Sequence, residues 1–228
     1  MDPDWIAVTL NTNRWFNSGG GLMVWAGATQ NAEDVALHEG GHTFHALADE
    51  YAYGESGPYS GAEPAEINVT ADPAGSKWQQ WLGFTQENLG AIQPYEGARY
   101  HASSIWRSSK NSKMNQLPDY HNAVCMEKMI LDLYKAVRPI DGHTPNLGPL
   151  KNPSTLSIQT VDPTVFSISW KADGQTMTDQ SAETLSVEGL QLARGQHQIE
   201  VEVQDQTPWV RKDRDKLRQA TTWTVDIE

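Results

Sequence analysis

An α+β chain of two domains is predicted by three features of the sequence. Apolar, β-branched segments joined by a glycine turn precede two stretches with helical spacing. A proline-rich strap follows, and beyond about residue 150 the pattern changes to short alternating strands. The expectation is a mixed sheet-and-helix domain over residues 1–150 and a small antiparallel β-sandwich over 151–228.

In chain order, "WIAVTLN" at 5–11 reads as a strand, and "FNSGGGLMVWAGAT" as a glycine turn leading into another. Asn31 is placed to cap a helix whose first turn carries Glu33 and Asp34, where acidic groups meet the positive helix end. Leu37, Phe44 and Leu47 fall on one face of it, expected to lie against the sheet. Residues 51–76 are rich in Gly, Pro, Ser and Ala and read as a long loop, with "NVT" at 68–70 fitting a glycosylation acceptor. A second helix is expected from a cap at Asp119, with Ala123, Met126, Ile130, Leu133, Tyr134 and Val137 at helical spacing and Pro139 as its stop. "PIDGHTPNLGPLKNP" holds four prolines in 15 residues and marks a linker or strap. Then come "TLSIQTV", "VFSISWKADG", "ETLSVEGL", "HQIEVEVQD" and "TTWTVDIE", with Asp173-Gly174 as a hairpin signal, together suggesting an immunoglobulin-like module.

Composition narrows the function. Acidic residues outnumber basic ones 29 to 17, giving a net charge of -12 that argues against nucleic acid or an anionic membrane face as partner. No apolar run reaches the roughly 18 residues a membrane span needs. Cys125 is the only cysteine, which excludes an internal disulfide and a four-cysteine zinc site. The first ten residues do not read as a secretory signal, yet the charge suits a secreted, cell-surface or periplasmic protein, and the expectation is a mature fragment whose export signal was removed.

The chemistry concentrates in "HEGGHTFHALADEY", residues 38–51. On a helix His38 and His42 sit one turn apart, within roughly 40° around the axis, and can share one ion at about 2.1 Å. Glu39, rotated by about 100°, stays off the metal and is placed to move a proton. Only about 0.01 accidental His-Glu-x-x-His matches are expected at this composition. The Gly40-Gly41 pair costs roughly 1 kcal/mol per glycine in helix propensity and points to close approach by a substrate or strand, or to tight packing. For the third ligand, His45 lies about 10.5 Å along a straight helix from His38 and reads as second-layer or surface. Asp49 is preferred, provided the helix ends and the chain folds back. Glu50, Glu63 and Glu66 are the alternatives, with Pro64 speaking against a ligand-bearing helix around the last two.

"HEGGHTFHALADEY" resembles the signature of the IgA peptidase family of bacterial zinc metallopeptidases. The likeness extends to "VTLNTNRWFNSGGG", "GARYHASSIWRSSKNSKMN", "YKAVRPIDG", "DPTVFSISWKADG" and "VQDQTPWVR". It implies a metzincin-like catalytic domain, a twisted sheet over an active-site helix, with zinc held by His38, His42 and Asp49 and Glu39 as general base and acid. Met114 in "NSKMN" matches the methionine turn beneath the metal. The usual metzincin spacing would put a glycine at 45 and the third ligand at 48, where this sequence has His45 and Ala48. Tyr51, Tyr53, Tyr120 and His121 are candidates for stabilising an oxyanion, and Arg107 and Lys113 for meeting a substrate carboxylate. The expected function is zinc-dependent endopeptidase action, by a monomer, on an extracellular protein or glycoprotein. The rival expectation is a catalytically degenerate surface module that binds host glycoprotein or glycan.

Overall fold

The computed structural model describes residues 6–54, 57–117, 119–177 and 181–228. Trp5 of the first expected strand, and residues 55 and 56 of the long loop, lie outside them. Two compact units divide at Asp132 and Leu133, upstream of the change of character read near residue 150.

In the first unit, β1 (Ala7–Leu10), β2 (Asn17–Ser18) and β3 (Met23–Ala26) form a three-stranded sheet of order β1-β3-β2. The β1–β3 pair is parallel and β2–β3 antiparallel. Helix α1 (Ala32–His45) follows directly. Asn31 occupies its N-cap position, but the side chain makes no capping bond; the residue contributes its carbonyl, which accepts from the Val35 N–H at 2.9 Å. The face α1 buries is Val35, His38, Glu39, Gly40, Gly41 and His45, whereas Leu37 is 56% exposed. Of the expected apolar stripe Leu47 is buried just beyond the helix end and Phe44 is half-buried, while Leu37 gives way to histidine, glutamate and glycine on the core side of the helix.

The long loop contains a short strand, β4 (Val69–Thr70), which pairs with β8 (His101–Arg107); β8 also pairs with β7 (Tyr95–Ala98). A separate hairpin joins β5 (Thr85–Gln86) to β6 (Gly90–Ala91). Asn68, read as a glycosylation acceptor, is fully buried, and its amide donates to the Ala48 carbonyl at 2.8 Å and Glu50 Oε1 at 3.0 Å. It is structural. Helix α2 (Ala123–Ala136) starts four residues beyond the cap expected at Asp119. Asn122 performs that role, its Oδ1 accepting from the Cys125 N–H at 3.0 Å.

In the second unit the five expected strands all form, and the strap adds two more. A five-stranded sheet has the order β10 (Leu150–Lys151), β16 (Arg218–Ile227), β15 (Gly195–Asp205), β12 (Phe166–Ala172), β13 (Gln175–Thr176). A three-stranded sheet runs β14 (Thr184–Ser186), β11 (Thr155–Thr160), β9 (Ile140–His143). The strap departs from an all-antiparallel pattern, because β10 lies parallel to β16. Asp173 and Gly174, both with positive φ, turn β12 into β13 as the hairpin signal predicts. Leu156, Ile158 and Leu185 from the smaller sheet share one core with Trp170, Val201 and Trp223 from the larger. Each such large side chain stabilises by about 1.5–3 kcal/mol on burial.

Candidate metal centre

Helix α1 carries its own stop. Ala46 adopts the left-handed conformation at φ 49°, and the N–H groups of Ala46 and Leu47 close onto the carbonyls of His42 and Gly41 at 3.1 and 3.0 Å. The chain then doubles back, and Asn68 clamps it through the Ala48 N–H and C=O. Asp49 is delivered beside the two histidines. The turn falls at 46 rather than 45 and the acid at 49 rather than 48, so both departures from the usual metzincin spacing are one shift of a single residue.

His38 Nε2, His42 Nε2 and Asp49 Oδ1 stand at 3.0, 3.2 and 3.1 Å from one another. The Nδ1–H of His38 donates to the Lys113 carbonyl at 2.8 Å, and that of His42 to the Leu47 carbonyl at 2.6 Å. With those protons committed, both Nε2 atoms present lone pairs to each other and to a carboxylate oxygen that is buried with no hydrogen-bond partner. Three converging lone pairs repel unless a cation lies among them. Tetrahedral ligands about 2.0–2.1 Å from zinc are about 3.3–3.4 Å apart, close to the observed triangle. Among the described residues this is the one group of histidine, cysteine and acidic side chains that could hold a metal.

Electrostatics fit an ionised Asp49. Burial, which opposes it, is outweighed by the adjacent imidazoles of His38 and His42 and by the Tyr100 hydroxyl, and the carboxyl is held well below the usual range. For His42, burial is likewise outweighed by Asp49 and the Leu47 carbonyl, and its pKa is raised. Tyr100, pushed up to about 12 by burial and by Asp49, keeps its proton and donates it to Asp49 Oδ2. Tyr51, whose pKa is raised by burial and Asp49, stacks on His38. Both tyrosines line the cleft, of about 660 Å³, into which His38, Glu39, His42 and Asp49 open. Tyr53 packs against both of them.

Glu39 is buried, and Asn17 on β2 donates to its Oε1 at 2.5 Å. Gly19 makes that approach possible, because a Cβ there would stand 2.7 Å from His42 Cβ and 2.9 Å from the Glu39 carbonyl oxygen. The sequence does not mark Asn17, Asn68 or Tyr100 as site residues, and Asn68 stands out in it only as a glycosylation acceptor. Only "FNSGGG", a polar residue before a glycine run, offers a signal for Asn17.

The other candidates separate. Glu50 points away from the metal triangle: it is fully buried, accepting from Ser112 Oγ at 2.6 Å and Asn68 at 3.0 Å, and burial raises its pKa. Glu63 accepts from Thr70 and pairs with Lys77 at 2.7 Å, while Glu66 lines the cleft outside the triangle. His45 turns to Asp132 at 3.3 Å, and burial lowers its pKa. Lys113 is buried against Asp34, and Arg107 donates to the carbonyls of Glu96 and Gly97, so both are engaged within the fold. Tyr120 is 74% exposed and does not line the cleft.

His121 is also absent from the cleft lining, and both of its ring nitrogens are buried. Burial, with the charge of Lys113 adding to it, lowers its pKa to about 4. A histidine depressed on folding contributes stability that is present above its unfolded value near 6.5 and lost as pH falls toward 4. His121→Phe is therefore expected to be less acid-sensitive than wild type over that window, by up to about 3 kcal/mol, read from denaturant midpoints at pH 7 and pH 4.5.

Met114 is fully buried beneath the helix with Leu47 and Cys125. Its Sδ would stand 2.7 Å from a Cβ at Gly41, whereas a Cβ at Gly40 meets nothing closer than 3.5 Å. The glycine pair thus has one essential member, required by packing. Gly41→Ala is expected to destabilise by about 1–3 kcal/mol through overpacking. Gly40→Ala is expected to be neutral or stabilising by up to about 1 kcal/mol; thermal melts of the two variants measure the contrast.

Residues 3–92 match the family described as IgA Peptidase M64. No curated protein matches the chain. Among solved structures, the Bacteroides ovatus mixed-linkage glucan utilization locus protein SGBP-B, in complex with a mixed-linkage heptasaccharide, is similar at 13% identity and a TM-score of 0.28. The similarity covers 39% of this chain and 23% of that one, a likeness too slight to inform fold or function. No helix among the described residues is long and apolar enough to cross a membrane. The resemblance to the IgA peptidase family, read from "HEGGHTFHALADEY" and its flanks, is shown over residues 3–92.

Proposed function

We propose that the chain is a zinc-dependent endopeptidase of metzincin-like fold that hydrolyses an extracellular protein. The observation that carries this reading is the convergence of His38 Nε2, His42 Nε2 and Asp49 Oδ1 in the cleft that Glu39 also lines. A zinc ion held by these three residues would supply Lewis-acid polarisation of a carbonyl and an acidified water. Glu39 takes the proton from the attacking water and passes it to the leaving amine as the C–N bond breaks and the new C–O bond forms. Asn17 holds one oxygen of Glu39, so the proton is carried by a carboxylate of fixed orientation. Tyr100 ties down Asp49 Oδ2 and leaves Oδ1 for the metal.

The chemistry belongs to the first unit, and the β-rich second unit serves as an immunoglobulin-like accessory module. The zinc-loaded protein should cleave an unstructured protein substrate, lose that activity on chelation, and regain it with stoichiometric zinc. Cleavage that persists after the metal is removed and verified absent contradicts the proposal.

A further inference from the structure

The tip of the β7–β8 hairpin breaks a local rule. Ala98 pairs with His101 across a two-residue turn, and both turn residues, Arg99 and Tyr100, have positive φ, at 45° and 71°. Such turns favour Asn-Gly, and a side chain in this region costs roughly 1–2 kcal/mol per residue. The strained tip is fastened to the metal centre. The Arg99 N–H donates to the Asp49 carbonyl and the Tyr100 N–H to that of Tyr51, both at 3.0 Å, while the Tyr100 hydroxyl reaches Asp49.

Tyr100 is thereby accounted for, and Arg99 is not. Its side chain lines the cleft, 37% exposed, and its one ionic partner is Glu66 at 3.5 Å, too long for a good hydrogen bond. Among the other guanidinium groups three are anchored, and those of Arg14, Arg194 and Arg218, which donate no hydrogen bond among the described residues, do not line the cleft. Arg107 donates to Gly97 at 2.6 Å, Arg138 to Tyr134 at 2.8 Å, and Arg214 to Thr207 and Val210 at 2.7 and 2.8 Å, all at backbone carbonyls. Arg99 has no hydrogen bond from its guanidinium among the described residues, although it offers five donors in a planar fork. That fork matches a carboxylate.

Resting on the peptidase reading above, we infer that Arg99 is a specificity-determining residue that binds a carboxylate of the substrate peptide next to the scissile bond. Glu66 is its competing partner and restrains Arg99 from closing fully on the acid. The carboxylate comes from an internal Asp or Glu side chain or from the peptide's free C-terminus.

The test uses the full zinc-loaded chain and matched peptides that carry Asp or Asn on either side of the cleaved bond, each with a free or amidated C-terminus. Both kcat/KM and binding to the Glu39→Gln variant are measured. Wild type should favour the carboxylate peptide by about tenfold or more. That ratio should collapse toward one in Arg99→Gln, fall in Arg99→Lys, which keeps the charge but not the fork, and rise in Glu66→Gln. Preference for internal Asp with either terminus identifies the side chain as the ligand, and preference confined to free-acid peptides identifies the terminus; both support the inference. Equal handling of acid and neutral peptides, or a preference that survives in Arg99→Gln and is unmoved in Glu66→Gln, overturns it. Failure to cleave any peptide defeats the peptidase reading instead, and the binding ratios then decide the role of Arg99 alone.

Discussion

Asp49→Ala is expected to weaken metal binding by at least about 100-fold, the upper end of what the loss of an outer-layer partner costs, with the fold retained. In the proposed centre Asp49 would supply the third donor through Oδ1, and the surrounding backbone is held independently by Asn68 and by Arg99. The neighbouring Glu50→Ala should do the opposite. Removing a fully buried carboxylate leaves the Ser112 hydroxyl and an Asn68 amide proton without their acceptor, at a cost of about 2–4 kcal/mol. Competitive chelation and thermal melting on the two variants separate a ligand from a structural acid. Loss of metal in Glu50→Ala without loss of stability would reverse the assignment.

Glu39→Gln should lower kcat by about 100- to 10,000-fold with no loss of bound metal. The substitution is nearly isosteric, and its amide oxygen can still accept from Asn17 Nδ2, so the variant removes proton transfer and little else. Its metal content and melting temperature are expected to equal those of wild type. Turnover within a few-fold of wild type would remove Glu39 from the mechanism.

The sequence displays the part of this centre that one helix encodes. His38, Glu39 and His42 are fixed relative to each other by the helical repeat, so their spacing alone marks them as candidates for one ion and one base. Asp49 is legible only as a candidate, because its delivery depends on Ala46 taking a left-handed conformation and on Asn68, 19 residues downstream of Asp49, clamping the returning chain. Neither has a local signature: alanine is a poor predictor of positive φ, and a buried Asn inside "NVT" looks like a surface acceptor. Asn17 and Tyr100 reach the site through pairing across long sequence separations, which periodicity does not carry.

The same physics explains the misreadings of the fold. Leu37 has the right spacing for a core stripe, but the buried side of α1 is taken by His38, Glu39, Gly40, Gly41 and His45. Asp119 and Asn122 are both good caps by type, and only the packing that brings Asn122 against Ser108 and Ser109 decides between them. In the second unit, alternation marks the strands one by one, whereas the parallel pairing of β10 with β16 is a matter of topology.

The most direct measurement is an anomalous difference map collected at the zinc absorption edge from crystals of the zinc-loaded protein. A single peak within about 2.0–2.2 Å of His38 Nε2, His42 Nε2 and Asp49 Oδ1 is the predicted result. A peak bound by Glu50, Glu63 or Glu66 in place of Asp49, or no peak between the two histidines at full zinc loading, would contradict the account.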